Sequence, residues 1–210
     1  MSSSSRKQDT RIAILDAARA LFETQGYHAT GLETVAAQAG VSRQAIYLHF
    51  SNKADLLRAL HERVNQQDVA PAMERVWAAP TADAALDEWV DASCHAIPKI
   101  LGIAYALNTA RRFDTDVAET WEGPKQGHYD ECLRLAKWLR RDQLLVPGLT
   151  ATDAADVLWN LTGIWSYESL VLDRGWTPVR WTRWLRITLR QLLLGETTPP
   201  RTPRRTAAAT

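Results

Sequence analysis

Ala36, Gly40 and Ile46 stand four and six residues apart, and this spacing constrains the fold more than any other feature of the chain. Two helices that cross closely need a small residue at the contact, which Ala36 supplies. The turn between them needs a residue that tolerates positive φ, a property of Gly40. The second helix needs a buried aliphatic to lock it, and Ile46 falls at that place. Val35 and Val41 extend the core around the crossing. Ser42 is placed to cap the second helix, its hydroxyl accepting a backbone N–H of the first turn. Behind it, Arg43, Gln44 and Ala45 form a polar or small front, and Tyr47, His49 and Phe50 an aromatic back. An ordinary helical hairpin with a glycine turn does not require the Ala, Gly and Ile together. A helix-turn-helix does, and its second helix is built to lie in the major groove of DNA.

The remaining chain reads as helices throughout. Gly and Pro are sparse and fall mostly at boundaries, and no segment sustains strand alternation. The first helix is expected over residues 10–25, with Ile12, Leu15, Ala18 and Phe22 on one face and Gly26 as its stop. Two short helices follow at 32–39 and 43–49. A fourth opens after Asn52, carries Leu56, Leu57, Leu60 and Val64 at helical spacing, and continues toward Trp77. Pro80 marks a break. A long helix over 82–112 contains Pro98, which frees the carbonyl of Cys94 and bends the axis. A short segment at 115–121 is expected to end at Gly123-Pro124, with a further helix from there to 142. Thr152 or Asp153 is read as the cap of a helix running to 174, and Thr177-Pro178 as the start of the last, which Gly195 closes. Residues 1–9 and the Pro- and Arg-rich 196–210 read as disordered tails. The fold class is therefore all-α. A three-helix DNA-binding domain over 10–52 precedes a larger helical ligand-binding and dimerisation domain over 53–195.

Composition limits the alternatives. The formal net charge of +1 gives no global basic signature, so DNA binding has to rest on a local patch. Cys94 and Cys132 fit neither a disulfide framework nor a zinc pattern, which favours a reduced, cytoplasmic chain. No apolar run approaches bilayer-spanning length and no signal peptide opens the sequence, so no membrane partner is expected. His128 and Cys132 share a helix face at i, i+4, but nothing completes a metal site. There is no glycine-rich phosphate loop, no nucleophile elbow and no Cys with an evident activating His, so neither catalysis nor a cofactor is expected. The alternative reading is an all-helical enzyme, or a protein-interaction module whose hairpin mimics the motif.

The residues also resemble a known family. Ala20-Leu21-Phe22-Glu23-Thr24-Gln25-Gly26-Tyr27, then Ala29-Thr30, Val35-Ala36-Ala37-Gln38-Ala39-Gly40-Val41-Ser42, Ile46-Tyr47-Leu48-His49-Phe50 and Lys53-Ala54-Asp55-Leu56-Leu57 closely resemble the TetR family of bacterial transcriptional repressors. The resemblance implies a homodimer whose first three helices bind an operator in double-stranded DNA and whose later helices hold a small-molecule effector. Two positions depart from the family's pattern. Gly31 stands where Thr or Ser often caps the second helix, and Gln44 where Gly is common. Gln offers a donor and an acceptor to adenine, and Arg can grip guanine with two bonds, so Arg43 and Gln44 are the expected base readers. Ala45 is suited to a thymine methyl. Ser42, Tyr47, His49 and Lys53, with Thr30 and Thr34 at the second helix, are expected to meet phosphate or to set the helix that does.

All nine tryptophans lie from Trp77 onward. Trp is large, apolar and able to donate one hydrogen bond, which suits a pocket for an aromatic or largely apolar effector. The expected effector contacts are Trp89, Cys94, His95, Tyr105, Asn108, Trp121, Tyr129, Trp159, Trp165 and Glu168. Leu158, Leu161 and Leu172, with Trp181, Trp184, Leu185 and Leu189 in the last helix, are expected to form a four-helix dimer interface.

Overall fold

A computed structural model of the chain describes residues 3–195, and every regular element among them is helical. α1 runs Ser3–Gln25, α2 Leu32–Gln38, α3 Arg43–Tyr47 and α4 Lys53–Val64. A π-helical segment, Asn65–Val69, joins α4 to α5, Ala70–Ala78. α6 spans Ala82–Ala110 and α7 Thr115–Arg141. α8 is Ala151–Leu161 and α9 Ile164–Tyr167, continued by a π segment, Glu168–Asp173. α10, Pro178–Leu189, ends in a third π segment, Arg190–Leu194.

Several boundaries correct the sequence expectations. The disorder expected over residues 1–9 does not hold where that stretch is described, because α1 already begins at Ser3. The tail expected over 196–210 lies outside the described residues. Gly123-Pro124 does not divide α7, which runs through it as one helix. Proline forfeits one ladder bond, and α7 is anchored on either side of it by buried residues, Val117 before and Cys132 and Leu135 after. The cap of α8 is Thr150 rather than Thr152 or Asp153. Its hydroxyl accepts from Asp153 N, and the Asp153 carboxylate accepts from Thr150 N, a reciprocal capping box. Gly163 then starts α9, so the helix expected to run unbroken to 174 is divided.

The core has two parts. The first joins Ile14, Ala18 and Phe22 of α1 to Val35, Ala36, Ile46 and Phe50, and adds Leu56, Leu57 and Leu60 of α4. Ile103, Leu107 and Ala110 of α6 and Val117 of α7 close it from the other side. The second is built from Val76, Leu86, Trp89, Leu135, Leu139, Leu158, Trp181, Leu185 and Leu189 and their neighbours. α4 thus serves the first core and α5 the second. α6 serves both, with its early turns in the second core and its late turns in the first.

A charged ladder fixes α10 along α6. Arg186 meets Asp91 at 2.5 Å and Asp87 at 3.6 Å, and Arg190 meets Asp83 at 2.7 Å and Asp87 at 3.2 Å. Asp83, Asp87 and Asp91 repeat at i, i+4, as do the two arginines, so both helices present one matched stripe. These groups are partly solvated and each pair contributes little alone. Together they set the register of the last helix.

Candidate nucleic-acid interface

The turn between α2 and α3 is a Schellman motif. Gly40 sits at φ 68°, Val41 N donates to Ala36 O at 3.0 Å, and Gly40 N donates to Ala37 O at 3.2 Å. Both bonds close orphan carbonyls at the end of α2. Ser42 then caps α3, its Oγ accepting from Ala45 N at 3.1 Å. Ile46 and Phe50 are sealed in the first core. With those two faces fixed, the opposite face of α3 is turned outward. Ser42, Arg43 and Gln44 are exposed, Ala45 and His49 are half-buried, and Tyr47 is 47% and Leu48 73% exposed.

Arg43 pairs with Glu33 of α2 at 3.0 Å, with both groups well exposed. Such a pair is easily exchanged for another acceptor. Thr34 is exposed on α2, and Gly31 begins that helix without a side-chain cap. His49 carries its proton less readily than an ordinary imidazole, first through burial and then through Lys7 and Arg11 nearby.

Two expected phosphate contacts have other partners. Thr30 is buried, and its hydroxyl donates to Gly26 O at 2.9 Å, so it braces the end of α1 and does not face outward. Lys53 Nζ donates to Tyr27 O at 2.8 Å and lies 4.2 Å from the centre of the Tyr27 ring. Partial burial lowers its proton affinity.

Tyr27 also ties this domain to the helical half. Its hydroxyl donates to Asp114 Oδ2 at 3.3 Å, while Asp114 Oδ1 caps α7 by accepting from Asp116 N and Val117 N. Burial, and then Asp114, push the phenol well above its ordinary range. His28 meets Phe113 edge-on at 5.6 Å, and Arg19 donates to Lys99 O at 2.9 Å. Sequence reasoning missed this tether. An Asp directly before a helical run was the available signal.

The expected effector residues do not converge on one site. Trp89 is buried, donates Nε1–H to Thr162 Oγ1 at 3.2 Å, and stacks on His128 at 5.9 Å. Tyr105 and Trp165 pair at 6.1 Å, and burial and then the Glu168 carboxylate raise the proton affinity of the Tyr105 hydroxyl. Cys94 Sγ is 2.9 Å from the Thr182 hydroxyl. His95 is exposed beside Lys99, Asn108 accepts from Arg111, and Tyr129 lies near Asp156. Trp159 packs half-buried on the second core. Trp121 is on α7, and its side chain lies outside the described set.

The dimer residues also separate. Leu158, Trp181, Leu185 and Leu189 are fully buried in the chain's own second core, which corrects their assignment to an interface between copies. Leu161 and Trp184 are half-buried and Leu172 is exposed. The large apolar groups left in solvent on this side are Trp165, Leu172, Val179, Ile187 and Leu192. Among the described residues, no group of three or more His, Cys, Asp or Glu could hold a metal, and no helix is long and apolar enough to cross a membrane.

A helix-turn-helix with an outward-facing second helix, mounted on a larger helical body, defines a DNA-binding domain of the regulator class. Residues 14–60 match the family model for bacterial regulatory proteins of the tetR family. Over these residues the chain is similar to that family, and the likeness is to its DNA-binding domain. It is 44% identical over 59 residues to the transcriptional regulator TtgR of Pseudomonas putida, covering 28% of each chain. Against AcrR of Shigella flexneri it is 49% identical over 55 residues, 26% of each. The match thus spans little more than a quarter of these curated relatives. The fold is similar over a longer reach. NalD of Pseudomonas aeruginosa superposes with a TM-score of 0.71 at 26% identity, covering 92% of this chain and 100% of that one. FadR of Bacillus subtilis gives 0.73 at 20% identity over 89% of this chain.

Proposed function

We propose that the protein is a cytoplasmic, dimeric transcriptional regulator, a repressor released from a palindromic operator by a small effector. The observation that carries the reading is the geometry of α3. Ile46 and Phe50 hold its inner face while Arg43, Gln44, Ala45 and Tyr47 stand outward beside a capped N-terminus. In this reading Arg43 and Gln44 read base edges and Ala45 meets a thymine methyl. Ser42, Thr34, Tyr47 and His49 set the pose on the backbone. Lys53 exchanges the Tyr27 carbonyl for a phosphate. NalD, a repressor of an efflux pump, supports the repressor assignment.

A dimer brings two reading helices to half-sites about one helical turn apart. The exposed apolar groups of the last helices, Leu172 and Ile187 among them, supply the surface for it. The effector engages the helical half, where Tyr105, Trp165 and Glu168 combine aromatic faces with a carboxylate. The Tyr27–Asp114 contact then links that half to the Lys53 ammonium, so that DNA and effector bias one two-state equilibrium.

The test is a gel shift with the DNA that flanks the protein's own coding sequence. A salt-sensitive, sequence-selective shift is expected. Arg43→Ala and Gln44→Ala are each expected to weaken the selective complex by about tenfold or more and to relax base preference at one position. Absence of any selective shift by the wild-type protein overturns the reading.

A further inference from the structure

α1 is longer than the core beneath it needs. Its buried face carries Ile14, Ala18 and Leu21. Run toward the N-terminus at helical spacing, the same stripe continues as Arg11, Thr10, Lys7 and Arg6. The core has ended there, so the stripe emerges into solvent as a basic ridge. α3 fixes where it emerges. Arg6, Lys7 and Thr10 form one wall of an open cleft whose other wall is Ala45, Leu48 and His49. Arg11 anchors the ridge, its guanidinium 5.2 Å from the centre of the Phe50 ring. Thr10 donates to Arg6 O at 2.9 Å within the same turns.

The charge of this cleft is unbalanced. No carboxylate lines it. Elsewhere in the domain the arginines are paired, Arg19 with Glu23, Arg58 with Asp55 and Arg63 with Asp16. Arg6, Lys7 and Arg11 form no ion pair among the described residues. Asp9 stands three residues from Arg6, but it does not line the cleft and forms no ion pair among the described residues. The chain as a whole is nearly neutral, so a local excess of this kind is not a by-product of composition.

We propose that the first turns of α1 are a second DNA-contacting surface, in which Arg6 and Lys7 bind backbone phosphates flanking the segment that α3 reads. The proposal rests on the DNA-reading role of α3 and adds residues outside the family-matched segment. The cleft is continuous with that face, since Ala45 belongs to both. Long cations bound to phosphate give affinity without sequence information. Arg6 and Lys7 therefore position the duplex, and Arg43 and Gln44 read it. His49 faces Lys7 and Arg11 from the opposite wall, where burial and then those two cations make it harder to protonate, and its ring can offer a hydrogen bond to the same backbone.

The experiment compares full-length wild type with an Arg6→Gln, Lys7→Gln double variant. The probe is a duplex selected by the wild-type protein from a random-sequence pool, and binding is titrated across salt. Each lost phosphate contact lowers the slope of log K against log salt by about 0.9. Two contacts are lost from each protomer and four from the dimer, so the slope is expected to fall by about three to four, affinity at moderate salt by about tenfold or more, and base preference to stay the same. Thermal melting is expected to be unchanged, since both side chains are exposed. An unchanged slope with affinity within about twofold overturns the proposal while leaving the α3 reading intact. An altered base preference at unchanged slope overturns it too, because α1 would then act on the pose of α3. If the wild type selects no duplex at all, the DNA-reading role fails, and this proposal with it.

Discussion

His128 is stacked on Trp89, and burial pushes its imidazole down to about 4. In the unfolded chain the same group takes a proton below about 6.5. Between those values the unfolded state binds more protons than the native one. Stability therefore falls as pH drops through that window, by up to about 3 kcal/mol from this residue. His49 and His61 are lowered in the same direction, so the wild-type profile contains all three. His128→Phe keeps an aromatic ring against Trp89 and removes one titration. Its melting temperature is expected to vary less between pH 6.5 and 4 than that of the wild type. Equal pH dependence in the two proteins would mean that the ring is solvated. At this scale the sequence was legible where a residue had one job. Ser42 as a cap and Ile46 as a lock follow from type and spacing. Thr30 and Thr34 look alike in sequence, and only the packing of the α1 end decides that one hydroxyl turns inward and the other outward.

Among the elements, the α2–α3 turn depends most on a single backbone conformation. A Cβ on Gly40 would meet nothing within 4 Å, so substitution there costs conformational strain and no clash. Gly40→Ala is expected to destabilise the protein by about 1–2 kcal/mol, read as a lower melting temperature. Gly40→Asn is expected to cost less, because Asn visits the left-handed region more readily. Caps and glycines made most helix ends legible, including Thr177 before α10 and Gly195 after it. Pro124 misled because a helix held on its inner face tolerates a missing bond. The break at Gly163 was hidden because Leu158, Leu161, Trp165 and Leu172 read equally well as one apolar run. The π segments left no mark in the apolar pattern; Asn65–Val69 lies between helices that serve different cores, while the other two pack on the second core alone.

At the scale of the molecule, hydrophobicity identified the last helices as important without saying which side of them faces another copy. Leu158, Trp181, Leu185 and Leu189 turned inward because α8 and α10 must first cover Trp89 and Leu135 of their own chain. What remains outside is a smaller set, with Leu172 at 54% and Ile187 at 41% exposure. Leu172→Asp combined with Ile187→Asp is expected to convert a dimer to a monomer in analytical ultracentrifugation, with little change in helicity. A wild-type monomer at micromolar concentration would refute that surface as the interface. One further consequence follows from the Asn65–Val69 segment, where a single helical backbone passes from α4 to α5. On one side its apolar stripe is phased to the reading domain, and on the other to the helical body. The two stripes need not agree, because the wider turn between them takes up the mismatch. Each half can then accumulate mutations against its own core without rephasing the other. The segment thus acts as a phase joint, letting one continuous backbone solve two packing problems separately.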